Sequence, residues 1–403
     1  MLQAWLDAVN SGDCSHVERY VESLDPSQSV AGLIAFHEQS GGFDLLSVDS
    51  IAPDHLGFRV KERASPTVAI GTLVLTAGPS LTVQVFGLHA IPPGEAESPV
   101  VLDRAYRRRV IDGIRSDLDQ FYVDAALAAA MGKAIETKAR AGDYGGETDG
   151  DVFAARLQAD LRSVSRDKHV TVGFTPFKPP PQTAPSAEDA ARFRNTLLET
   201  NCAFEEVKVL PDNIGYVKFD VFGPPEICAP TAAAAMGFVA HARAVIFDLR
   251  DNTGGSPAMV SFIASYLFDQ PTHLNDLYDR HANETRQFWT TPYSIGSSLA
   301  KTPVFLLTSS RTFSGAEEFA YDLLQQKRAT IVGETTGGGA HPVAPHVVAD
   351  HIIVGVPFAK AVNPVSKGNW EGSGVEPNVK VPAAEALETA ETMLARARTQ
   401  KTP

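Results

Sequence analysis

Apolar residues recur at helical spacing over three early stretches, about 2–10, 13–22 and 27–38. They then switch to strand-like alternation near 43–51, 55–62, 67–76 and 81–90. Turn residues such as Ala77-Gly-Pro-Ser80 divide the alternating runs. This order predicts a small α+β domain over 1–97, closed by the breaker Ile91-Pro-Pro-Gly-Glu-Ala-Glu-Ser-Pro99. A helical region follows to about Ser165, in which Phe153, Leu157, Leu161 and Val164 form one apolar stripe. Thr175-Pro-Phe-Lys-Pro-Pro-Pro-Gln-Thr-Ala-Pro185 is too rich in proline for regular structure and is expected to run extended over the surface.

The C-terminal half alternates in another way. Ile214–Phe219, Ala244–Leu249, Val304–Leu307 and Ala329–Gly333 read as strands, and 230–241 and 258–268 as helices. Phe319, Leu323 and Leu324 mark a further helix. Nearly continuous apolar strands between helices predict a sheet covered on both faces. The chain therefore divides into an α+β domain (1–97), a helical cap (98–170), a proline-rich linker and helix (171–205) and an α/β core (206–395).

Composition narrows the classes. With 403 residues, 44% hydrophobic and 21% charged, the chain is long enough for several domains and ordinary for a globular protein. A net charge of -13 would repel phosphate backbones, and no Lys/Arg run is interleaved with aromatics, so a nucleic-acid partner is not expected. The densest basic cluster, Arg104-Ala-Tyr-Arg-Arg-Arg109, reads as a solvated helix face. Cys14, Cys202 and Cys228 are too few for a disulfide framework or a zinc site, although one bridge is allowed, and the redox compartment stays open. No apolar run approaches the roughly 18 residues of a membrane span. As written the chain reads as soluble and cytoplasmic, or as periplasmic or secreted if an export signal has been removed.

Two turns carry candidate chemistry. Thr308-Ser-Ser-Arg-Thr-Phe-Ser314-Gly-Ala-Glu-Glu318 runs from a buried strand straight into a helix, which puts the Ser314 hydroxyl at a helix N-terminus. The plain alternative is a capping box, in which Ser314 and Glu317 satisfy each other's N–H groups. Asp248-Leu-Arg-Asp-Asn-Thr-Gly-Gly255 sits at a second strand-to-helix turn. It lacks the Lys-Ser/Thr of a phosphate loop and the Gly-x-Gly-x-x-Gly of a dinucleotide fingerprint, which leaves an oxyanion hole or a plain turn.

Together with Asp167-Lys-His169, Gly333-Glu-Thr-Thr-Gly-Gly-Gly-Ala-His341 and Trp370-Glu-Gly-Ser-Gly-Val-Glu-Pro377, these segments resemble the tail-specific, or C-terminal-processing, serine peptidases. The resemblance covers about 100–395 and is to the branch of tricorn protease and the interphotoreceptor retinoid-binding protein modules. It implies a crotonase/ClpP-like core sheet. It puts the nucleophile at Ser314 and the oxyanion hole at Gly315 with Gly254 or Gly255. The short opening Trp5-Leu-Asp-Ala-Val-Asn-Ser-Gly-Asp13 resembles cone-shaped NTF2-like domains, for which packing or homo-oligomer formation is the expected role.

Many family members use a Ser-Lys dyad, yet the segment that would carry the lysine reads Thr336-Gly-Gly-Gly339. Another group must then take the serine proton. The tricorn branch similarly lacks the lysine, and its pattern implies His169 as general base with Glu371 holding the tautomer. Asp167 is a rival orienter, and His341 is an alternative base or substrate contact. The order His, Ser, Glu argues against an α/β-hydrolase. The interval from 169 to 214 leaves no room for the family's peptide-binding PDZ module, so short or unfolded peptides are the expected substrates, cleaved without metal or organic cofactor. Two alternatives stay open: a non-catalytic module binding retinoid- or fatty-acid-like ligands, and an esterase or specialised peptide hydrolase.

Overall fold

The computed structural model describes residues 1–399 apart from 26, 27, 29, 52, 53, 77–81, 92–96, 99, 180–185 and 292–298. The expected turn at Ala77–Ser80, most of the breaker before residue 100 and the end of the proline stretch lie outside the described residues.

The first part is α+β, as its pattern predicts. Helices α1 (Leu2–Ser11), α2 (Cys14–Ser23) and α3 (Val30–Ser40) precede an antiparallel meander of β1 (Phe43–Ile51), β2 (His55–Glu62), β3 (Val68–Leu75) and β4 (Val83–Ala90), paired in chain order. Helix α1 ends because Gly12 adopts a left-handed φ of 59°, which glycine reaches without a Cβ clash. Helix α2 starts where the Asp13 carboxylate accepts the His16 N–H at 3.0 Å. Fully buried Trp5 packs on Phe43, Phe58 and Phe86, and so clamps helix to sheet.

Next come α4 (Arg104–Phe121), α5 (Ala125–Ala141) and α6 (Gly150–Ser165), capped by the side chains of Asp103, Asp124 and Asp149. Phe153, Leu157 and Leu161 are fully buried, as the stripe predicts, with Val164 packed beside them. Helix α6 ends at Arg166 with a left-handed φ of 58°. Strand β5 (Thr171–Phe174) follows almost at once. Arg162 braces this reversal by donating to Lys168 O at 2.6 Å and Val170 O at 2.7 Å.

The remainder folds around one sheet. It comprises α7 (Ala187–Glu199), β6 (Phe204–Leu210), β7 (Ile214–Phe219), α8 (Pro225–Phe238), β8 (Ala244–Asp248), α9 (Pro257–Ala264), β9 (His273–Asp279), β10 (Glu284–Trp289), β11 (Val304–Thr308), α10 (Gly315–Gln325), β12 (Thr330–Gly333), β13 (Val343–Val348), β14 (Ile352–Pro357), β15 (Ala359–Val362), β16 (Val379–Lys380) and α11 (Ala386–Thr399). The central strand order is β16-β12-β11-β8-β7-β6, parallel except for the antiparallel edge strand β6. Every residue of β8 and β11 is buried. Helices α8, α9 and α10 pack one face, and Ala386, Ala390 and Leu394 of α11 the other, the two-sided cover expected of such strands. Two smaller sheets, β13-β14-β5 and β10-β9-β15, tie the cap and the cleft hairpin to this core.

Two local differences from the sequence reading have physical causes. Helix α8 begins at Pro225 rather than near 230, because a proline at the first helical position sacrifices only an N–H that has no helical partner. Phe204-Glu-Glu-Val-Lys-Val-Leu210 is an edge strand, where charged side chains are tolerated because one flank faces solvent. Among the described residues no helix is long and apolar enough to cross a membrane.

Cys202 and Cys228 form a disulfide that fastens the segment after α7 to α8. Closing its span of 26 residues restricts the unfolded chain, a contribution of about 3–4 kcal/mol in the chain-entropy account. Replacing both cysteines by alanine should lower the urea-unfolding free energy by about that amount. An unchanged midpoint would show the bridge to be energetically idle.

Candidate active site

Strands β8 and β11 are neighbours, so the turns leaving their C-terminal ends meet. Thr312 Oγ1 donates to Leu249 O at 2.7 Å, Ser309 Oγ to Arg250 O at 2.5 Å, and Phe313 N to Asn252 O at 3.1 Å. The second turn thus holds Ser314 at φ 52°, ψ -120°, outside the broad wells of a non-glycine residue. Such a conformation costs on the order of 1–3 kcal/mol and persists only where surroundings enforce it.

Glu317 supplies much of that enforcement. Its buried carboxylate accepts the Ser314 N–H at 2.8 Å, half of the capping box read from the sequence. It also accepts Thr336 Oγ1 at 2.5 Å and the N–H groups of Gly338 at 2.6 Å and Gly339 at 2.8 Å. Burial raises the Glu317 pKa, and these donors oppose the shift. The sequence reading gave Glu317 only a capping role. Its spacing from Ser314 is a signal for that bond, but nothing local announces the glycine-rich loop 336–339 as its second partner.

Gly254 and Gly255 adopt φ of 105° and 131°. A Cβ on Gly254 would lie 2.6 Å from Gly315 N and 2.8 Å from Ser314 Cβ, so only glycine permits this approach. A Cβ on Gly315 would in turn come within 3.0 Å of Gly255 N. The Gly254 N–H is spent on Asn252 Oδ1 at 2.9 Å. The Gly255 and Gly315 N–H groups donate to no acceptor among the described residues. Of the two glycines offered by the sequence, Gly255 is the one with a donor to spare.

The imidazole of His169 rests on the ring of Phe313, centroids 4.8 Å apart, next to the serine in sequence. It also abuts Gly339, where a Cβ would lie 2.6 Å from His169 Cε1. His169 is 9% exposed, and its Nδ1 has no hydrogen-bond partner. Asp167 Oδ1 is 3.7 Å from that nitrogen and accepts the His169 backbone N–H at 2.9 Å. Burial is the main cause lowering the His169 pKa below the ordinary imidazole value, with Asp167 opposing.

His341 and Glu371 complete the group. His341 Nδ1 lies 2.8 Å from Asp167 Oδ2 and 3.5 Å from Glu371 Oε2, and Tyr122 also donates to Asp167 Oδ2 at 3.2 Å. Glu371 Oε2 accepts the Ala340 N–H at 2.6 Å, while Oε1 is buried without a partner. Burial pushes the Glu371 carboxyl up to about 7, with His341 opposing and Asp167 adding to the rise. The structure therefore gathers Asp167, His169, His341 and Glu371 into one cluster beside the Ser314 turn. Among the described residues no hydrogen bond joins the Ser314 hydroxyl to His169 or His341.

A cleft of about 390 Å³ opens over Ser314 and Gly315. Leu277, Phe288, Phe358 and Trp370 give it apolar walls, and Arg286 and Glu318 also line it. The Trp370 indole N–H donates to Gly339 O at 2.8 Å and so anchors the cleft wall to the glycine-rich loop.

Residues 213–381 match the model of Peptidase family S41. A protein from Parabacteroides merdae, described as a candidate peptidase, has a similar fold: TM-score 0.51 at 18% identity over 71% of this chain and 96% of its own. The tricorn protease gives 0.46 at 12% identity over 86% and 45%, and the photosystem II D1 C-terminal processing protease 0.42 at 14% over 70% and 94%. The fold and the family match define a serine-type peptidase. The match to peptidase family S41 lies within its α/β core.

Glu371 generates a pH prediction. Its folded pKa of about 7 exceeds the ordinary 4.5, so the folded state holds this proton more tightly than the unfolded chain. Stability from this group is then present below pH 4.5, declines as pH rises to about 7, and is level beyond. Glu371→Gln should shrink that decline in thermal-unfolding midpoints measured across the window, and an identical decline in the variant would contradict the assignment.

Proposed function

We propose that this peptidase cleaves peptide bonds through an acyl-enzyme on Ser314. His169 is the general base and Glu371 the acid that orients it, and the N–H groups of Gly255 and Gly315 receive the oxyanion. The observation that carries the reading is the pair of unspent backbone donors flanking a serine held in a strained turn. Each such donor is worth about 2.7–4 kcal/mol of transition-state stabilisation when aimed at the developing charge.

His169 takes the Ser314 proton as the hydroxyl attacks the carbonyl, then returns it to the leaving amine; water repeats the sequence to release the acid. A buried imidazole with a lowered pKa is neutral at neutral pH, which a base requires. A serine–histidine hydrogen bond commonly tightens only once substrate is bound. Asp167 supports the base differently: its oxygens go to the His169 backbone, His341 and Tyr122, whereas Glu371 keeps one oxygen uncommitted. His341, bound to Asp167 through Nδ1, braces this support.

Peptide or protein substrates follow from the family, and the apolar cleft walls suit an apolar side chain next to the scissile bond. An ester could use the same machinery. A module that only binds apolar ligands would have no use for the strained serine. The Cys202–Cys228 bridge supports work in an oxidising compartment, because reducing cytosol keeps such thiols apart.

Labelling with a fluorophosphonate tests the assignment. Wild type should react at Ser314 and Ser314→Ala not at all, while His169→Ala should react at least about a hundredfold more slowly. Loss of labelling in His341→Ala with retention in His169→Ala would transfer the base to His341.

A further inference from the structure

The cluster behind the nucleophile holds more donor atoms than hydrogen bonds. One ring nitrogen of His169, one oxygen of Asp167 and one oxygen of Glu371 all lie within 4.8 Å of one another. His169 Nδ1 and Glu371 Oε1 are buried and have no hydrogen-bond partner among the described residues, and Nδ1 lies 3.7 Å from Asp167 Oδ1. Arg162 braces the same segment through backbone carbonyls, and His341 Nδ1 engages the other oxygens, Asp167 Oδ2 at 2.8 Å and Glu371 Oε2 at 3.5 Å.

We infer that Asp167, His169 and Glu371 form a Zn²⁺ site whose occupation switches the peptidase off. One imidazole and two carboxylates are a donor set that zinc takes at about 2.0–2.2 Å, with a fourth position left to water. Tetrahedral donors at that radius stand about 3.3–3.5 Å apart, so the side chains need to close by up to about 1.5 Å. His341, bonded through Nδ1 to Asp167 Oδ2 at 2.8 Å, is placed to hold that carboxylate toward the ion, as outer partners of metal ligands do. Calcium and magnesium, which favour six or more oxygen donors, suit the site poorly.

Inhibition follows from where the imidazole proton sits. The inference rests on reading His169 as the base. With the metal on Nδ1, the proton of the neutral ring resides on Nε2, the nitrogen that would otherwise accept the Ser314 proton. Occupation breaks the Nδ1–H bond and forms an Nε2–H bond, the proton passing by exchange with water, and a chelator reverses the state. Zinc here is a regulator rather than a cofactor, so the expectation of metal-free catalysis is unaffected.

Calorimetry on the full-length Ser314→Ala protein should show Zn²⁺ binding with unit stoichiometry. The added substitutions Glu371→Gln and His169→Ala should each weaken it at least tenfold, the lower range for disturbing even an outer partner of a ligand. Co²⁺ in place of zinc should give the visible spectrum of a low-coordinate N/O site in wild type and lose it in Glu371→Gln. Zinc should slow fluorophosphonate labelling of wild type about a hundredfold, with recovery on adding EDTA. Absent binding, binding insensitive to both substitutions, or bound zinc with undiminished labelling would each overturn the proposal. Should His169→Ala label as fast as wild type without zinc, the base assignment fails instead, and calorimetry still reports on the site.

Discussion

One buried carboxylate holds the active-site region together. Glu317 binds the amide of the strained serine with one oxygen and the glycine-rich loop with both, so two segments remote in sequence share an anchor. A buried charge is costly unless its hydrogen-bonding capacity is met. Four donors meet it here, and the requirement works in reverse: the loop must stay where the carboxylate can reach it.

That loop then sets the positions of the proposed base and its acids. Gly339 lies against His169, its carbonyl accepts from Trp370, and the neighbouring Ala340 amide binds Glu371. A side chain at 339 would meet both Phe313 and the imidazole. The space beside the glycines holds an imidazole delivered from the cap. The proposed mechanism requires the cap to stay docked, since His169 sits between α6 and β5 while Ser314 belongs to the core. Strand β5 secures that docking by pairing with β14, whose own partner β13 leads back toward the cleft.

Much of the fold was legible. The helix and strand periods of the first 90 residues, the stripe on α6 and the apolar strands of the core all appear where the pattern puts them, because burial on one face or two imposes those periods directly. Edge strand β6 and the proline-started α8 were harder to read. In both, local chemistry mimics a loop and only the neighbouring strand or the helix terminus makes it regular.

For the candidate site, local features were readable: a serine entering a helix, a glycine pair at a neighbouring turn, and the histidine and glutamate that the structure gathers beside them. Periodicity and motif are local properties, so a single chain suffices to display them. Several matters belonged to tertiary structure alone. These include which glycine keeps a free amide, that Asp167 is committed to His341 and Tyr122 rather than to the His169 ring, that Cys202 meets Cys228, and that Glu317 binds a loop nineteen to twenty-two residues away. Each is a question of which donor finds which acceptor after packing, and the answer is fixed by distances of a few ångströms between segments whose separation along the chain carries no trace of it.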